Sequence, residues 1–167
     1  MTRSWLRRYA VSCFLLLLPA LLWNLLLADR LPPAFQMAEF WREIPRWVSV
    51  PENVLRSLVF LLPLVMPLEL ATPGQRRRLA LFAAGTAVYF ASWVVLIAWP
   101  DSAWSTSAAG FLAPAYTPAL WLCALGLLAD RWLFPALPFR RWMYPATAAA
   151  FLVFHNLHTA MVYARNF

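Results

Sequence analysis

The sequence predicts an all-α polytopic membrane protein, with five transmembrane helices and a short interfacial amphipathic helix in a single domain over residues 1–167. Three observations lead there. Hydrophobic residues make up 63% of the chain and charged residues 13%, whereas a water-soluble domain is nearer half apolar and about a quarter charged. Five apolar runs of about 18–22 residues each suffice to cross roughly 30 Å of hydrocarbon as a helix. The arginines gather on alternate connections between those runs.

The first span is expected over residues 9–28, behind Arg3, Arg7 and Arg8. Its apolar run exceeds the roughly 7–15 residues of a signal peptide and lacks a small-x-small cleavage site, so it reads as an uncleaved helix. Residues 34–48 come next, with Met37, Phe40, Trp41, Ile44, Trp47 and Val48 on one helical face and Gln36, Glu39, Arg42, Glu43 and Arg46 on the other. This stretch is too short and too charged to span. It reads as a helix lying in the outer interface, with Pro45 as its break point, or as a lid over an outward-facing site.

The second span is expected over residues 54–71 and contains Pro63 and Pro67. A proline has no N–H, so the carbonyls of Val59 and Pro63 lose their helical donors and turn either to packing partners or to a ligand. The third, fourth and fifth spans cover residues 79–99, 113–134 and 144–163. The connection from Asp101 to Thr117 is rich in Ser, Thr, Gly and Pro, a composition suited to a segment that re-enters the membrane under protein cover. Cys13 and Cys123 fall inside apolar runs and behave as small hydrophobes, with neither a CxxC nor a zinc spacing.

An inside N-terminus places Arg3, Arg7, Arg8, Arg76, Arg77, Arg78, Arg131, Arg140 and Arg141 on the inner side. Arg30, Arg42, Arg46, Arg56 and Arg165 then lie outside. This distribution satisfies the positive-inside rule, giving a bacterial-type cytoplasmic (inner) membrane with the C-terminus outside. The net charge of +7 is scattered between apolar runs, so no nucleic-acid partner is expected. The expected partners are the lipid bilayer, a small hydrophobic ligand, or a partner membrane subunit. With no lysine in the chain, Schiff-base chemistry of the retinal type is excluded.

Topology fixes depth, and depth locates the candidate site. His155 and His158, the two histidines of the chain, lie within the fifth span, about 2 Å and about 7 Å outside the midplane. They share a helix face with Thr159, and polar groups at that depth turn toward protein or water. Arg56, Tyr89, Ser92 and Tyr116 fall in the same outer half, and with the histidines and Thr159 they make the expected ligand-binding set. Three readings of the pair stand. It fixes packing through interhelical hydrogen bonds of about 0.6 kcal/mol each. It anchors a lipid, quinone or sterol-like molecule in an outward-facing pocket. Or it serves a small membrane enzyme, as base or as metal ligands, with Asp101 as the third ligand. Both histidines sit on one span, which disfavours bis-histidine haem within one subunit. GxSxG, P-loop, GxGxxG and HExxH motifs are absent, and no cofactor is specified. In the inner half, Glu69 is expected to pair with an inner arginine; the alternative is a proton-relay carboxylate.

Overall fold

The computed structural model describes residues 12–134 and 138–167. The expectations that rest on Arg3, Arg7 and Arg8, and the start of the first span, lie outside the described residues. Among the described residues all helices and no strands are found. We number the α-helices α1 (Leu18–Leu26), α2 (Met37–Phe40), α3 (Arg46–Leu61), α4 (Pro73–Ala98), α5 (Ala108–Phe111), α6 (Ala113–Tyr116), α7 (Pro118–Gly126) and α8 (Met143–Asn166).

Among the described residues two helices are long and apolar enough to cross a membrane: α3 with its 3-10 extension, Arg46–Val65, and α4, Pro73–Ala98. The apolar stretch Cys13–Leu26 is shorter. Helix α8 has 24 residues, about 36 Å of length, but carries His155, Asn156, His158 and Arg165. The expected fourth helix over 113–134 is not continuous. Pro114 and Pro118 start new helices where a proline N–H would be missing, and α7 ends at Gly126.

The interfacial helix expected over 34–48 also breaks. A 3-10 turn at Pro33–Phe35 leads into the single-turn α2, and Glu43 adopts a left-handed φ of 56°. Pro45 then caps α3, so Arg46, Trp47 and Val48 belong to that long helix. The reason is local: proline at 45 cannot donate into a helix begun at 37, but its fixed φ suits the position just before a new one.

The core joins two helix pairs, α4 against α7 and α3 against α8, with α7 also packed on α8. Gly85 lets α4 approach α7 closely, because a Cβ there would lie 2.8 Å from the backbone nitrogen of Trp121. The start of the chain is tied to the 3-10 turn after α3: Cys13 N–H donates to the Met66 carbonyl at 2.8 Å, and Leu133 N–H donates to the Val65 carbonyl at 2.8 Å. Cys13 is fully buried there, whereas Cys123 is exposed on α7. The Pro63 carbonyl accepts from Met66 N–H at 3.3 Å. Of the two carbonyls expected to be freed, that of Pro63 is thus taken up within its own turn, while those of Val65 and Met66 tie the turn to neighbouring segments.

Ion pairs mark both ends of the bundle. Glu69 pairs with Arg131, and Asp130 lies 3.0 Å from Arg141 and 3.9 Å from Arg78. At the other end Arg165 of α8 donates to the carbonyls of Glu39 and Arg42, and its guanidinium lies 3.5 Å from the Glu39 carboxylate. Between those ends the outer surface is strongly apolar, with Leu22, Leu25, Leu58, Leu61, Leu81 and Val153 among its exposed side chains.

Candidate functional site

Residues three and four apart on a helix share a face. On α8 this aligns His155, His158 and Thr159, and Thr159 spends its hydroxyl on the His155 carbonyl at 2.8 Å. On α3 it aligns Glu52 and Arg56, whose guanidinium donates to Glu52 Oε1. Because α3 packs along α8, the two faces meet, and Glu52 becomes the hub. His155 Nδ1 lies 2.9 Å from Glu52 Oε1, and His158 Nδ1 lies 2.5 Å from Glu52 Oε2. The carboxylate and His158 are both fully buried.

The hydrogen bonds limit where protons can sit. His158 Nε2 lies 2.9 Å from the Phe40 carbonyl. A carbonyl only accepts, so Nε2 must carry the proton. The contact between His158 Nδ1 and Glu52 Oε2 then needs one further proton, held by either atom. In both cases His158 and Glu52 together are neutral, and Arg56 leaves the cluster with a single positive charge. Glu52 Oε1 already accepts from Arg56, so it accepts from His155 as well, and Nδ1 carries a proton; a second proton on Nε2 would set another positive charge beside the Arg56 guanidinium, which favours the neutral ring with Nε2 unprotonated. A buried carboxylate persists only with such a set of donors.

Aromatic rings close around the cluster. Phe40 stacks on His158 at 4.2 Å, and Trp41 meets it edge-on at 4.6 Å. Phe151 lies parallel to His155, 5.2 Å away. The Arg56 guanidinium sits 5.4 Å from the Trp41 ring centre and 5.8 Å from that of Phe151, within cation–π range.

Beside the cluster lies a cavity of about 440 Å³, in the size range of small-molecule sites. Its walls come from α1, the 28–41 segment, α3, α4, α6, α7 and α8, and they include Tyr89, Trp93, Trp121 and Phe151. Four of the expected site residues line it: His155, Thr159, Arg56 and Tyr89. Tyr89 donates to Asn24 Oδ1 at 2.7 Å, which joins α4 to α1 across the cavity.

The other expected residues are placed differently. His158 stands behind His155, out of the lining, and latches the 37–41 segment to α8. The Ser92 hydroxyl donates to the Tyr89 carbonyl at 2.7 Å, and that of Tyr116 to the Ala109 carbonyl at 3.1 Å; neither residue lines the cavity. Both are polar groups consumed by their own backbone neighbourhood. Asp101 is exposed in the turn after α4 and makes no ion pair with either histidine. Among the described residues no three His, Cys, Asp or Glu side chains form a metal-binding group.

Glu52 was not among the expected site residues. Its signal in the sequence is the i, i+4 pairing with Arg56 at the depth of the histidines, masked by Pro51, which makes "SVPEN" read as loop. Comparison with known protein families, curated proteins and solved structures finds no match to this chain.

Proposed function

We propose that the protein binds a small hydrophobic or amphipathic molecule, lipid-, quinone- or sterol-like, in this cavity. The observation that carries the reading is the cavity itself, aromatic-walled and bordered by His155 and Arg56 as its polar groups from the buried cluster. Concave, mostly apolar sites with a few convergent polar groups are where such ligands bind. We further propose that the chain lies in a cytoplasmic-type membrane as five passes, N-terminus inside, with the cavity in the outer half. The apolar outer surface between two charged ends supports this placement, because a soluble monomer rarely exposes so large an apolar area.

The test is purification in mild detergent followed by mass spectrometry of the organic extract. Ala28, an exposed residue of the cavity rim, is changed to Trp to fill the entrance without disturbing the core. A stoichiometric apolar molecule in the wild type, depleted in Ala28→Trp, supports the reading. An empty extract together with no uptake of any hydrophobic probe overturns it.

A second reading, a small membrane enzyme with His155 as general base, is favoured by one contact. A carboxylate on one imidazole nitrogen holds the other in position to accept a proton, and Glu52 does this for His155. Chemical change of the extracted molecule by the wild type but not by His155→Gln would favour it; no change in either would dismiss it.

A further inference from the structure

We infer that the polar anchor of the cavity selects a hydroxyl group on a flat aromatic ring, making the ligand a phenol or a hydroquinone in preference to the corresponding ether or quinone. The inference rests on the cavity reading above and specifies its chemistry. His155 enters the cavity wall with Nδ1 committed to Glu52. Its Nε2 makes no hydrogen bond among the described residues. In this tautomer Nε2 has a lone pair and no proton, so it accepts and cannot donate. A carbonyl oxygen offers it nothing. An O–H does.

Arg56 supplies the complementary half. Arg56 lines the same cavity, its guanidinium held between Trp41 and Phe151, and guanidinium only donates. A hydroxyl is the smallest group that satisfies both neighbours at once, giving its proton to Nε2 while its oxygen accepts from Arg56. The cluster's single positive charge favours an oxygen with anionic character, which a phenol has and an aliphatic alcohol largely lacks. Trp41, Trp93, Trp121, Phe151 and Phe40 all line the space, an aromatic wall suited to an aromatic body.

The probes are 4-octylphenol and its methyl ether, 4-octylanisole, titrated into the full-length protein in mild detergent and read by quenching of the wall tryptophans. The pair shares a ring and tail, and the ether replaces the donated proton with a methyl group, whose extra apolar surface by itself would favour the ether in an apolar cavity. A hydrogen bond to a charge-supported acceptor predicts at least about 10-fold tighter binding of the phenol. His155→Phe, which keeps a ring against Phe151, is expected to bring the two affinities within about 2-fold of each other. If both probes bind the wild type equally, the hydroxyl selectivity is overturned while the cavity reading stands. If neither binds, this inference falls, and the cavity reading falls with it where the organic extract is empty and no other hydrophobic probe is taken up. If the phenol preference survives in His155→Phe, His155 is not the acceptor and the inference fails. The wild-type comparison needs no variant, so poor folding of His155→Phe leaves the first two outcomes decisive.

Discussion

Replacing Glu52 tests the hub directly, because two substitutions there should differ sharply. In Glu52→Gln the amide oxygen can still accept from His155 and Arg56 in place of Oε1. The amide N–H₂ then faces His158 Nδ1, whose partner nitrogen already carries the proton for Phe40. Every hydrogen bond is kept, and the loss is confined to the counter-charge of Arg56, about 1–2 kcal/mol for a partly exposed cation. In Glu52→Ala the Arg56, His155 and His158 side chains lose the fully buried carboxylate they share, and breaking such a cluster costs about 3–5 kcal/mol. For a chain of this size the alanine variant should melt on the order of 10 °C lower than wild type, and the glutamine variant only a few degrees lower. Thermal unfolding in detergent, followed by far-ultraviolet circular dichroism, reads both. Equal melting of the two variants would refute the proton count, and an alanine variant within about 1 kcal/mol of wild type would refute the role of Glu52 as the hub.

Four further outcomes are expected. Gly85→Ala should destabilise by about 1–3 kcal/mol, since its Cβ would stand 2.8 Å from Trp121 N. Gly74→Ala, in the open first turn of α4 with its nearest neighbour at 3.9 Å, should stabilise by about 0.5–1 kcal/mol; chemical unfolding compares them. Arg165→Met removes the donors to the Glu39 and Arg42 carbonyls, and protease should then cut within residues 31–45 several-fold faster than in wild type. Glu69→Gln should move stability by less than about 1 kcal/mol, because Glu69 and Arg131 are both solvent-exposed; a larger shift would point to a role beyond that pair.

Much of the site was legible because depth along an apolar helix is simple arithmetic. Placing His155, Arg56, Tyr89 and Thr159 at one level of five parallel runs brought together side chains that do share a cavity wall. Residues at the same level but on the wrong face, Ser92 and Tyr116, could not be separated from them, since rotation about the helix axis depends on packing. Glu52 was hidden for a different reason. Pro45 caps α3 and the helix runs through Pro51 at the cost of one hydrogen bond, so α3 starts eight residues earlier than its apolar pattern does and carries Glu52 into the core. Segment breaks at Pro114 and Pro118 followed the same chemistry in reverse: the run of apolar residues concealed two helix starts. The pairing of Glu69 with an arginine was correctly anticipated from charge and level alone.

The two cysteines give the chain a built-in ruler. Cys13 is sealed inside the packing of the first helix against the turn after α3, whereas Cys123 opens onto the outer face of α7. A thiol reagent applied to the folded protein therefore has one address, with no engineered site and no background to remove. A spin label placed there would report, through its collisions with oxygen or with a water-soluble relaxant, how deep the middle of α7 lies in the surrounding medium. Reaction at Cys13 would signal that the first helix had come away from the bundle. One unmodified protein can thus report its immersion through one sulfur and its integrity through the other.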